Sequence, residues 1–236
     1  MNPELILFDL DDTLMAFDIV AEEAWNVTID LFVETENIKI EKNFLLEKIN
    51  RARKWYWSDA ERHRIGRKNI INARREIVHL ALKDYLDIDT NKLNQLADNY
   101  SQTHEKLWYL FEGAEDTLEY LKKKDIKLGL MTNGTSESQR NKINRFNLEK
   151  YFDYIFIESE VGYGKPDLRM YQYMLNETKI ENSKITMVGD NLVWDIEPPK
   201  NIGIYTIWIN TKGHILEPNK HPDKIIEKIT DIKSIY

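Results

Sequence analysis

The sequence predicts an α/β fold, an open Rossmann-like parallel sheet core with a four-helix cap domain inserted after the first strand. Three observations carry this expectation. Short apolar runs closed by polar residues recur near the N-terminus and through the second half of the chain. Stretches with helical spacing lie between the later runs, the alternation of a parallel sheet covered on both faces. The long interval after the first run holds several amphipathic stretches and no convincing strand.

Taken in order, residues 4–10 form a continuous apolar run ended by aspartates, which reads as a central strand buried on both faces. Residues 126–132, 154–157, 185–188 and 204–209 share that character. Helical patterning occupies 136–146, 168–178 and a shorter stretch after Asp190. The insertion reads as helices over 21–35, 41–57, 68–85 and 91–110. In the third of these, Ala73, Ile77, Leu80, Ala81 and Tyr85 recur on one face, with Arg74, Arg75 and Glu76 mostly elsewhere. The expected domains are a core of residues 1–15 and 112–236 and a cap of 16–111.

The 33 Lys and Arg residues against 40 Asp and Glu give a net charge of -7, which argues against a general electrostatic grip on nucleic acid or an anionic membrane. With no cysteine, disulfides, thiolate nucleophiles and thiolate metal sites are excluded. The first residues lack the charge order and length of a signal peptide, and no run approaches the ~20 apolar residues of a membrane span, so a cytoplasmic protein is expected.

The residues with chemical potential gather at strand ends, where open α/β sheets bind ligands. Asp9 and Asp11 follow the first strand, and an extended backbone through Asp11 would put both carboxylates on one side. Such a pair by itself is also explained by a turn or a helix cap. Thr132, Asn133 and Gly134 close the second strand, and Ser136 with Gln139 reads as a capping box; a hydroxyl, an amide and helix N–H groups there suit a phosphate, as they would an ordinary strand-turn-helix junction. Lys165 follows the third strand beside Gly164 and Pro166, where a solvated charge is the ordinary alternative. Asp190 and Asp195 follow the fourth. Four carboxylates near one point repel unless protonated or bridged by a cation, and with oxygen ligands magnesium is the natural ion.

Phe8-Asp9-Leu10-Asp11-Asp12-Thr13-Leu14, Thr132-Asn133-Gly134, Lys165-Pro166 and Gly189-Asp190-Asn191 through Asp195 resemble the four ordered motifs of the haloacid dehalogenase-like hydrolase superfamily. The position of the insertion resembles its helical-cap class, and the wording of the first motif is similar to a subgroup with nucleotidases and acylneuraminate phosphatases. The resemblance implies a Mg2+-dependent phosphatase of a small phosphorylated metabolite, a nucleoside monophosphate or a sugar phosphate. Asp9 would be the nucleophile that forms an aspartyl-phosphate, and Asp11 the general acid and base. Thr132 and Asn133 would hold the phosphoryl group, and Lys165 would offset its charge. The ion's ligands would be Asp9, the main-chain carbonyl of Asp11, Asp190 and Asp195. The same residues suit a phosphosugar mutase or phosphotransferase, and a non-catalytic binding protein is a third reading. Carbon-halogen enzymes are disfavoured, because the resemblance implies that they lack the acid at Asp11. The oligomer is expected to be a monomer or homodimer.

After Asp195, Glu197-Pro198-Pro199 departs from the motif pattern and predicts an interrupted or restarted helix near Glu197. In the insertion, residues 55–68 are rich in aromatics and cations. His63, Arg64 and Arg67 are candidate substrate contacts, although tryptophans in a cap core with cations on a solvated face account for the same composition.

Overall fold

The computed structural model describes residues 2–216 and 218–236. The chain forms two compact units, one running to Ala16 and resuming at Tyr109, the other Phe17–Trp108. The chain leaves the first unit after β1 (Leu5–Phe8), whose four residues are all apolar and all buried.

The second unit holds α1 (Ala21–Thr35), α2 (Lys42–Ser58), α3 (Ala60–Gly66), α4 (Ile70–Leu82) and α5 (Thr90–Lys106). The sequence reading expects four helices; α3 is the addition. Asp59 creates it by accepting from the Arg62 N–H at 2.8 Å, so the polar stretch after α2 begins a new helix. Asn69 and Asp89 start α4 and α5 in the same way. Trp25, Ile29, Leu45, Ile49, Val78, Leu82, Leu96 and Tyr100 share one core, and the Trp25 and Tyr100 rings stack with centroids 3.8 Å apart. Burying each Leu or Ile of this set stabilises the unit by roughly 1.5–3 kcal/mol. The buried face of α4 differs from the expected one. Ala73, Ile77 and Ala81 are joined by Val78, Leu82 and Arg74, whereas Leu80 is 42% exposed. Leu80 lies at the margin of that face, and Tyr85 lies beyond the helix end.

The first unit continues with α6 (Ala114–Lys123), β2 (Lys127–Thr132), α7 (Ser136–Arg145), β3 (Tyr154–Ile157), α8 (Glu158–Val161), α9 (Leu168–Thr178), β4 (Ile185–Gly189), α10 (Glu197–Asn201), β5 (Tyr205–Ile209) and β6 (Lys224–Ile226). The six strands are all parallel, in the order β3-β2-β1-β4-β5-β6. β1 is interior, with Leu7 opposite Gly129 on one side and Met187 on the other, which is why its sequence is apolar on both faces. Leu5, Leu7, Met131, Met170, Tyr171, Met174 and Met187 form the core between the sheet and α9. Where the insertion departs and returns, Ala16 N–H donates to the Tyr109 carbonyl at 2.9 Å, Phe111 N–H donates to the Leu14 carbonyl at 3.0 Å, and Met15 bridges Leu110 antiparallel.

Candidate active site

Asp9 directly follows β1, and its N–H continues the ladder to the Val188 carbonyl at 2.9 Å. Asp11 still forms a parallel bridge with Met15, and the turn follows it. Leu14 and Met15 N–H groups return to the Leu10 carbonyl at 3.0 and 3.2 Å, and Asp12 takes φ 59°, a left-handed conformation that aspartate tolerates better than most residues. The two carboxylates take different lysine partners. Asp9 Oδ1 accepts from Lys165 Nζ at 2.6 Å, whereas both oxygens of Asp11 accept from Lys142 Nζ of α7, at 2.8 and 2.6 Å. Lys212 Nζ donates to Asp12 Oδ2 at 2.9 Å.

Asp195 comes to Asp9 through a single turn of π-helix, Leu192–Ile196, a rare geometry that often marks functional sites. Asn191 begins that turn by accepting from the Val193 and Trp194 N–H groups, and Asp195 Oδ2 accepts from the Asn191 N–H at 3.1 Å. Regular α-helix restarts at Glu197, where Pro198 and Pro199 occupy first-turn positions whose N–H groups have no intrahelical use. Gly189 admits this arrangement, because a Cβ there would stand 2.4 Å from the Asp195 side chain. Two further side chains brace the loop. Tyr171 Oη donates to the Trp194 carbonyl at 2.6 Å, and Trp208 Nε1 to the Asp190 carbonyl at 2.7 Å.

Among the described residues, Asp9, Asp190 and Asp195 each bring an oxygen within 4.8 Å of the others. Lys165, 1% exposed, bridges Asp9 and Asp195 at 2.6 Å each. Burial pushes the Asp9 carboxyl up to about 6, with the Asp195 charge adding to the rise and Lys165 opposing it. Burial, then Asp9, Asp195 and Asp12, hold Asp190 well above the usual carboxylate range against the pull of Lys212. Asp11 is also raised by burial, with Lys142 pulling the other way. The ammonium of Lys165 is held above its ordinary value by its two carboxylates, against its own burial. Three crowded carboxylate oxygens, with Asp9 and Asp190 held against ionisation by burial, fit a hard divalent cation, whose charge would favour the ionised form of those two groups.

Thr132 ends β2 in the interior. Asn133 is committed to the next loop, accepting from the Lys165 N–H at 2.8 Å and donating to the Lys165 carbonyl at 2.7 Å. The expected capping box at Ser136 and Gln139 is not formed. Thr135, one residue earlier and also a capping residue, accepts from the Ser138 N–H, while Gln139 Nε2 donates to the Asn133 carbonyl at 2.8 Å. Gly134, at φ 121°, donates its N–H to buried Glu158 at 2.9 Å. Lys142, Glu158, Tyr171 and Trp208 are the supporting residues missed in the sequence; Glu158, directly after a strand end, carried the one local signal. In the second unit, Arg64 pairs with Glu61 at 2.8 and 2.6 Å, and the His63 ring meets Trp57 edge-on at 5.0 Å. Arg67 caps the end of α3.

Residues 6–209 match the family model described as haloacid dehalogenase-like hydrolase. The pyrimidine 5'-nucleotidase PynA of Streptococcus pneumoniae is 29% identical over 88% of this chain and 84% of its own. The glyceraldehyde 3-phosphate phosphatase of Pyrococcus furiosus is 28% identical over 98% and 92%. The HAD-hydrolase YfnB of Bacillus subtilis, solved bound to magnesium, superposes with a TM-score of 0.77 at 23% identity over 100% of this chain and 99% of that one, a likeness of fold. The family match spans all four motif loops, and this enzyme belongs to the haloacid dehalogenase-like hydrolase family.

Proposed function

We propose that the enzyme is a phosphatase of small phosphomonoesters, nucleoside monophosphates or sugar phosphates, that works through an aspartyl-phosphate on Asp9 with magnesium as cofactor. The observation that carries this reading is the buried ammonium of Lys165 joining Asp9 to Asp195 beside Asp190. A carboxylate becomes a feasible nucleophile toward an anionic phosphate where fixed positive charge offsets the repulsion. The names of the phosphatase and nucleotidase relatives support the same class.

Asp9, Asp190 and Asp195 would hold the ion with the Asp11 carbonyl, and its chemistry when bound is neutralisation of charge on the phosphoryl oxygens. Asp9 attacks phosphorus, the ester P–O bond breaks, and Asp11 gives its proton to the departing alcohol. Asp11 then takes a proton from water as that water attacks phosphorus, which frees Asp9 and inorganic phosphate. Thr132 donates its hydroxyl to the transferred group. Asn133 contributes its main-chain N–H, its side chain being engaged with Lys165. Lys165 stabilises charge on Asp9 and the phosphoryl oxygens throughout.

The direct test measures inorganic phosphate released from nucleoside monophosphates, sugar phosphates and an aryl phosphate, with magnesium and after its removal by chelation. Magnesium-dependent release supports the reading. Recovery of the group on an acceptor sugar, with no free phosphate, would replace it with phosphotransfer.

Substrate choice is assigned to the helical unit, with at least one of His63, Arg64 and Arg67 acting on the substrate. Alanine at the responsible position is expected to raise KM about tenfold, the effect of losing one charge-assisted hydrogen bond, with kcat nearly unchanged. Three variants with wild-type KM would remove this assignment.

A further inference from the structure

Lys142 has no part in the reaction as described above. It lies in α7, is 1% exposed, and places its ammonium 2.8 and 2.6 Å from the two oxygens of Asp11, 131 residues away in sequence. A lysine that serves solubility keeps its head in water, whereas burying an ammonium is costly without a well-placed partner. The helix that carries it is itself anchored to the candidate phosphate loop. Thr135 caps its start, and Gln139, one turn before Lys142, donates to the Asn133 carbonyl. Contact with both oxygens restrains rotation of the Asp11 carboxyl group about its Cβ–Cγ bond. Proton delivery to an oxygen leaving phosphorus works only within hydrogen-bond reach, so that restraint bears on the chemistry.

We infer that Lys142 is a positioning residue that aims the Asp11 carboxyl group at the leaving oxygen of the substrate. The inference rests on the phosphatase reading above. As the bond from Asp9 to phosphorus forms and the ester P–O bond breaks, the proton passes from Asp11 to the ester oxygen. The ammonium of Lys142 keeps its three protons and acts through Asp11 alone.

The test compares kcat/KM for two esters in the full-length enzyme with magnesium, because kcat/KM reports the steps up to departure of the alcohol. Ribose 5-phosphate has a poor leaving group that needs a proton; p-nitrophenyl phosphate has a good one that does not. Lys142→Met and Lys142→Gln are expected to lower kcat/KM for ribose 5-phosphate about 100-fold and for p-nitrophenyl phosphate less than about 5-fold. The ratio of the two values does not depend on the fraction of folded enzyme, so lost stability cannot imitate the result. In Asp11→Asn, adding Lys142→Met is expected to cause no further loss. Equal losses on both esters, or losses that multiply in the double variant, would overturn the positioning role alone. Wild-type enzyme that releases phosphate from neither ester would instead overturn the phosphatase reading, and the role of Lys142 with it.

Discussion

Asp9→Asn is expected to abolish phosphate release, by on the order of ten-thousand-fold or more, from every substrate the wild type accepts. The amide keeps the shape and one oxygen able to accept from Lys165 Nζ, which now lies at 2.6 Å, but it is not a nucleophile at phosphorus. The same change removes one of three mutually repelling carboxylates whose ligand oxygens lie within 4.8 Å of one another. Without magnesium, the thermal midpoint of the variant should therefore equal or exceed that of the wild type. Residual turnover above about 1% of wild type in a preparation shown by mass spectrometry to be free of deamidation would exclude Asp9 as the nucleophile.

Lys165→Met is expected to be the most damaging single change for activity and folding together. Methionine keeps most of the volume, but the variant leaves Asp9 and Asp195 buried and facing each other without their shared cation. Breaking a buried pair in this way costs about 3–5 kcal/mol, which urea denaturation would register as a lower midpoint. Turnover should fall on the order of a thousand-fold, the scale of losing a fixed charge aimed at the transition state. Saturating magnesium should restore part of the stability, since an ion bound only by the folded cluster adds its binding free energy, and none of the activity. A midpoint unchanged in the metal-free variant would show that Lys165 does not compensate these carboxylates.

What was legible in the sequence, and what was not, follows from how local each signal is. β1, β2, β4 and β5 show as apolar runs because an interior parallel strand is buried on both faces, and β3, at the sheet edge, shows because it is apolar throughout and buries Phe156 and Ile157. The chain's habit of placing Asp, Thr or Asn directly after those runs exposed the candidate site. β6 stayed hidden because it is three residues long and only Ile226 is buried. Lys142 stayed hidden for a different reason. Its helix is otherwise rich in Arg and Asn, and its burial is set by Asp11, which only the tertiary fold brings near. Thr135 and Ser136 are adjacent residues that can both cap, and local preference leans to the serine, so only the tertiary fold selects Thr135. The double proline was readable in advance, because its missing N–H groups constrain the backbone whatever surrounds it.

The backbone pairing at 14–16 with 109–111 makes residues 17–108 a closed excursion from the core. The chain departs and re-enters at adjacent points held by the core's own hydrogen bonds, so the register of the sheet is insulated from the length of what is threaded between them. Doubling such an excursion adds only about 0.6 kcal/mol of closure entropy. This segment can therefore be lengthened or replaced at little entropic cost while the strands that lead to Asp9, Thr132 and Asp190 keep their alignment.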